Sequence, residues 1–179
     1  MPPGRRPVVR RRHASPAGPA DIPRFFPVIE KPRRTAGLRR TRGPWRVAVV
    51  EASMAPAIEP GDWLLVDPTT TRWPRRGSVV VFREPDDTGG LAIKRVAAGP
   101  GDRVAFAEGY LELADDEAWL TSDATTEEAA ALGFGAPIDS RVYGPVPLDR
   151  LVGRAWFRYA PLRRIGRIGR PGRPGSAQG

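Results

Sequence analysis

Leu91-Ala92-Ile93-Lys94-Arg95-Val96, closed by Gly99-Pro100-Gly101-Asp102, is the stretch on which the reading of this chain turns. It has strand length and ends in a Gly/Pro turn, so it predicts a largely buried β-strand. Side chains alternate across a strand, which puts Ala92, Lys94 and Val96 on one face and Ile93 and Arg95 on the other. Lys94 therefore emerges among small apolar groups. It is one of only two lysines in a chain with 29 lysines and arginines. The choice matters because arginine keeps its proton in proteins, whereas a desolvated lysine can become a neutral base.

The surrounding sequence repeats the same pattern of short apolar runs broken by Gly, Pro and Asp. Strands are expected at 45–50, 62–67, 78–83, 91–97, 102–107, 110–113, 117–121 and 154–159. Many short strands with frequent turns predict an all-β, mainly antiparallel folded sheet or barrel. One short helix interrupts it. Thr125-Thr126-Glu127-Glu128-Ala129-Ala130-Ala131-Leu132 opens with a capping-box pattern (Thr125 with Glu128) and stops at Gly133. A further turn is expected near Leu148–Leu151. No internal repeat is found.

Composition sets limits on the chemistry. A chain of 179 residues is long enough for one domain with a real core. It has no cysteine, which excludes disulfides, thiolate metal sites and a cysteine nucleophile. The single histidine, His13, lies in an Arg/Pro-rich segment, which argues against a Ser-His-Asp triad or a multi-histidine zinc site. No metal or other cofactor is expected. Asp115-Asp116-Glu117 reads as a solvated loop rather than a cation site. Asp62 and Asp102 follow glycines in turns and are not read as catalytic.

Charge is segregated. Residues 1–46 carry 13 basic and 2 acidic residues, residues 47–153 carry 9 and 18, and residues 154–179 carry 7 and none. An acidic body thus bears two basic arms, which are either solvated or drawn to anionic lipid. Nucleic acid is the weaker partner, because aromatic residues for base stacking are sparse there. Residues 1–44 are expected to form a disordered Arg/Pro-rich arm and residues 161–179 a flexible basic tail, fraying from Arg163. No run approaches the roughly 20 apolar residues that span a bilayer, and no apolar segment follows the N-terminal arginines as in a secretory signal. The expectation is a cytoplasmic protein or one peripheral to the cell membrane.

A nucleophile for Lys94 to activate lies upstream, in Ser53-Met54-Ala55-Pro56, followed by Pro60-Gly61-Asp62. A serine hydroxyl attacks poorly until a base removes its proton. A free lysine, with a pKa of about 10.4, is charged at neutral pH. Burial lowers such a value by up to roughly 3–5, enough to reach about 8. Each residue alone has a plainer reading: Lys94 as an edge-strand lysine with its head in water, and Ser53 as a loop or capping serine.

Together the pieces resemble the signal peptidase I family. Ser53-Met54-Ala55-Pro56-Ala57-Ile58-Glu59-Pro60-Gly61-Asp62 is similar to its nucleophile box. Lys94-Arg95-Val96 with Pro100-Gly101-Asp102 is similar to its lysine box. Asp139-Ser140-Arg141 with Gly144-Pro145-Val146 is similar to its last box. The three occur in family order, and the likeness covers about residues 45–160, which would be the catalytic domain. The resemblance implies a Ser/Lys-dyad serine endopeptidase with Ser53 as nucleophile, Lys94 as general base and the Ser53 backbone N–H as oxyanion donor. It also implies substrate pockets lined by Met54, Ile58, Ala92 and Ile93, which favour Ala-x-Ala before the cut. Arg95, Asp139 and Arg141 would form a structural ion-pair cluster beside the dyad. The partner is then a protein or peptide with small residues before the scissile bond; the sequence does not define an oligomeric state.

Several positions depart from the family pattern. Gly77-Ser78 stands where Gly-Asp is usual, and Ser122-Asp123-Ala124 stands where G-D-N is usual. The capped helix looks inserted between Asp123 and Asp139. Pro137 replaces a serine that orients the lysine. Glu51 occupies a site where some members place an oxyanion-donating serine, and an ionised carboxylate cannot donate. Members usually carry an N-terminal membrane anchor, where this chain has the basic arm. Two other readings follow: a maturation protease trimming one metalloenzyme precursor, and a degenerate protease core that binds membrane or nucleic acid through the arms. A self-cleaving repressor is disfavoured, because the N-terminal arm shows no helix-turn-helix pattern.

Overall fold

A computed structural model describes residues 43–85, 90–106 and 109–169. Ten strands and two short helices follow in chain order. They are β1 (Trp45–Ala48), β2 (Trp63–Asp67), β3 (Val79–Arg83), β4 (Leu91–Ala98), β5 (Arg103–Phe106), β6 (Gly109–Glu112), β7 (Glu117–Thr121), α1 (Thr126–Ala131), α2 (Ser140–Tyr143), β8 (Val146–Pro147), β9 (Leu151–Ala160) and β10 (Gly166–Arg167). The fold is all-β, as the short runs predict, and every strand pair among the described residues is antiparallel. The main sheet runs β1-β2-β9-β3-β4-β7-β8, with β10 added to β9, while β5 and β6 form a separate hairpin.

The period-two pattern of β3 and β4 explains how two cores form. Both strands are almost wholly buried. Val79, Val81, Leu91 and Ile93 pack into one apolar cluster with Met54, Ile58, Leu64 and Val66. Val80, Phe82, Ala92 and Val96 pack into a second with Ala118, Leu120 and Val146. Lys94, opposite Val80 in the register, alternates with Ala92 and Val96 of this second set. A third cluster of Ala98, Leu113 and Trp119 seats the β5–β6 hairpin.

Between β2 and β9 the sheet is very tight. A methyl group on Gly153 would lie 2.5 Å from the Asp67 carbonyl oxygen and 2.8 Å from Val66 Cγ1. The first of these is backbone and cannot rotate away. Gly153→Ala is therefore expected to push β2 from β9 and to cost about 1–3 kcal/mol, read as a lower denaturation midpoint.

The expected helix forms as α1, and both halves of its capping box are present: the Thr125 hydroxyl accepts from the Glu128 N–H, and the Glu128 carboxylate accepts from the Thr125 N–H. The C-terminal segment differs from expectation. Sequence predicts fraying from Arg163, yet Gly166 and Arg167 pair with Arg158 and Phe157 of β9. Arg164 lies against Glu59 and sits 3.5 Å from Asp62. Carboxylates in the body capture this part of the basic tail. The expected disorder of residues 1–42 and of 170–179 lies outside the described residues.

Candidate active site

The nucleophile loop is held from both sides. Val49 N–H donates to the Asp62 carbonyl and Gly61 N–H to the Val49 carbonyl, so the segment 49–62 closes on itself. Inside it, Ala55 N–H donates to Ala52 and Ile58 N–H to Met54, a helical turn that leaves Ser53 at its start. Asp62 is 1 % exposed and accepts from Glu59 N–H and from Arg158. Arg158 also donates to the Ala57 carbonyl. Asp62 is thus a clamp on the loop. Asp102 has a similar local task, accepting from Gly99 N–H at 2.8 Å in the turn after β4.

The other side of the loop rests on the end of β7. The Ser53 carbonyl accepts from both Asp123 N–H (3.1 Å) and Ala124 N–H (3.2 Å). Asp123 in turn takes Arg95 in a two-pronged grip, Nε at 2.7 Å and Nη2 at 2.5 Å. Their side chains are 8 % and 2 % exposed for Arg95 and Asp123 respectively. The residue after the lysine therefore anchors the backbone that anchors the serine.

The single ion-pair cluster implied by the family boxes is divided into two. Arg95 pairs with Asp123, while Arg141 pairs with Asp139 at 2.6 Å. Asp139 caps α2 through Arg141 N–H and also accepts from Ser122 N–H, so the two pairs meet through the backbone of 122–123. Burial pushes the Asp139 carboxyl up, but the hydrogen bonds from Arg141 and Ser122 outweigh it and hold the group below its ordinary value. Ser140, fully buried, accepts from Leu120 N–H and ties α2 to β7.

Ser53 and Lys94 line the same cleft, of about 80 Å³. Met54, Ala92 and Ile93, three of the residues that the family resemblance offers as pocket lining, line it too. Ile58 does not. It is 0 % exposed and packs in the first apolar cluster, because the Met54–Ile58 turn rolls it away from the cleft. Sequence reasoning missed the opposite wall, Phe134 to Ile138, which follows α1. The apolar residues after Gly133 were the available signal. Glu51 and Glu84 also line the cleft.

Electrostatics at the cleft centre on Lys94, which is 4 % exposed. Desolvation, the largest influence, pulls its pKa down to about 8 against the opposing pull of Glu51, Asp139, Glu84 and Asp123. Burial likewise pushes the Glu51 carboxyl up to about 7, with Lys94 opposing and Glu84 adding. Near neutral pH Glu51 is thus protonated for a large part of the time. This amends the expectation that it cannot donate a hydrogen bond.

Comparison with known proteins bears directly on this arrangement. The family profile for signal peptidase, peptidase S26, matches residues 42–131, half of the chain. The chain belongs to the signal peptidase S26 family. Signal peptidase I of Leptolyngbya laminosa is 28 % identical over 137 residues, covering 64 % of this chain and 68 % of that protein. A probable signal peptidase I of Synechocystis is 28 % identical over 139 residues, 66 % of this chain and 64 % of its own length. The mitochondrial inner membrane protease subunit 1 of Xenopus tropicalis is 30 % identical over 122 residues, 64 % of this chain and 68 % of that protein. The chain thus spans about two thirds of the length of these relatives. In this S26 chain, no helix among the described residues is long and apolar enough to cross a membrane.

Proposed function

We propose that this chain is a serine endopeptidase of the signal peptidase type, with Ser53 as nucleophile and Lys94 as general base, cutting after small side chains. The observation that carries this reading is a nearly dry amine, with its pKa brought down to about 8, in the same cleft as a serine held by its own carbonyl.

In its neutral form Lys94 takes the Ser53 proton as Oγ bonds to the scissile carbonyl carbon. The Ser53 backbone N–H donates to the developing oxyanion. The ammonium of Lys94 then protonates the leaving amine as the C–N bond breaks, leaving an ester on Ser53. Lys94 next takes a proton from water, whose oxygen attacks the ester, and returns that proton to Ser53 Oγ. The cleft of about 80 Å³, with Met54, Ala92 and Ile93 on one wall and Phe134 to Ile138 on the other, suits alanine-sized side chains better than large ones.

The test incubates the protein with Ala-x-Ala peptides from pH 7 to 10 and maps any acyl adduct by mass spectrometry. An adduct on Ser53 is expected; turnover with the adduct elsewhere rejects the assignment. The base must be neutral to act, so kcat/KM is expected to rise about tenfold per pH unit below 8 and to level above it. A flat profile across this window would remove Lys94 from the role.

A further inference from the structure

A second cavity lies away from the cleft, where the main sheet has a gap. β3 and β10 occupy the same edge of β9 end to end. Val79 faces Ala155 and Arg167 faces Phe157, and Trp156 falls between them. The gap holds about 210 Å³, against ~30 Å³ for one water.

Four arginines line it: Arg75 and Arg76 from the turn before β3, Arg154 from β9 and Arg167 from β10. Ser78 and Trp156 line it as well, and no acidic residue does. The counter-charge to Arg154 is Asp67, its register partner on β2, whose carboxylate already accepts twice from Thr69. The gap is also braced. Arg95 donates to the Gly77 carbonyl on one rim and to the Gly169 carbonyl on the other. Its own charge is taken up by Asp123, so the brace adds rigidity without joining the four.

Guanidinium forks match the oxygens of phosphate in pairs. A carboxylate presents two oxygens in one plane and so meets one fork, whereas the tetrahedral oxygens of a phosphate group face several forks at once. Trp156, 41 % exposed, adds an amphipathic ring of the kind that settles at headgroup level. We infer that the gap between β3 and β10 is a phosphate-anion site, suited to a phospholipid headgroup or to free phosphate. This inference is independent of the peptidase reading.

The test uses the full chain in two arms. The first titrates inorganic phosphate by calorimetry at constant ionic strength. The second measures flotation with vesicles of phosphatidylglycerol and phosphatidylcholine in equal parts. Two double variants remove the lining, Arg154→Gln with Arg167→Gln, and Arg75→Gln with Arg76→Gln. All four side chains belong to exposed residues, so the fold is expected to survive; thermal midpoints check this. A third double, Arg5→Gln with Arg6→Gln, removes equal charge from the N-terminal arm.

Saturable phosphate binding, weakened about tenfold by each pocket double and unchanged by the arm double, supports the site. If only the pocket doubles lose vesicle binding, the phosphate is a headgroup. If they lose phosphate binding alone, it is a free anion. The inference is overturned if pocket and arm doubles behave alike in both arms of the experiment.

Discussion

Lys94→Met is expected to fold at least as well as the native protein and to cleave nothing. Methionine keeps most of the stem's volume and removes the amine. Loss of a base that acts as a unit with its nucleophile costs at least roughly 10³-fold in kcat, and Ser53→Ala is expected to match it. Lys94→Arg should fail equally, since it keeps the charge and cannot take the proton. The stability half of the expectation distinguishes catalysis from structure. Burial makes the ammonium form unfavourable by an amount on the order of 3 kcal/mol, a penalty the methionine does not carry.

The pH dependence has a definite sign. Between about 8 and the ordinary lysine value of 10.5, the unfolded chain holds a proton that the folded chain has released. Folding stability of the native protein therefore rises with pH across that window, and that of Lys94→Met lacks the rise. Chemical denaturation at several pH values reads both slopes. A Lys94→Met protein that is markedly less stable at pH 7 would mean that the amine is a structural tie.

Asp123→Asn is expected to be among the most damaging substitutions outside the cleft. It strips the charge partner from an arginine whose side chain is 8 % exposed. Breaking a buried pair from one side typically costs about 3–5 kcal/mol, because the remaining charge is left in a poor solvent. Replacing both partners by apolar residues, Arg95→Met with Asp123→Leu, should recover much of that loss. Urea denaturation of the two single variants and the double completes the cycle. If Asp123→Asn shifts the midpoint no more than an exposed substitution does, the pair is not the anchor described. The same substitution should also lower activity in whatever fraction stays folded, since the charged pairing with Arg95 steadies the backbone whose N–H groups hold the Ser53 carbonyl.

The sequence made some parts of this structure legible and concealed others for physical reasons. Strand length and the closing Gly/Pro turn revealed β4, and in a strand buried on both faces a lysine stands out. The capping box revealed α1, because both of its bonds lie within four residues. β8 and β10 are two residues long and carry no period to detect. α2 is a single turn whose start is fixed by Asp139, and its packing by the Ser140 bond to Leu120. The first bond is local but marks only one turn, and the second spans 20 residues and has no signature in local sequence.

At the site, Ser53 and Lys94 were legible as residues, but the choice of ionic partners was not. Arg95 reaches Asp123 because β4 pairs with β7, bringing Arg95 opposite Thr121, two residues before it. No sequence spacing states that register. Ile58 packs in the core and not in the cleft, and its box position says nothing about which way a helical turn rolls its last side chain.

The place of β9 in the sheet has a consequence for how the molecule is made. The strand sits between β2 and β3, yet among the described residues it is the last long strand in chain order. Until residues 151–160 have left the ribosome, the nascent polypeptide holds two half-sheets, β1-β2 and β3-β4-β7-β8, each with a raw hydrogen-bonding edge. Such edges invite pairing with other chains. Premature termination before Leu151 should therefore yield aggregates or chaperone-bound fragments, not a shortened enzyme.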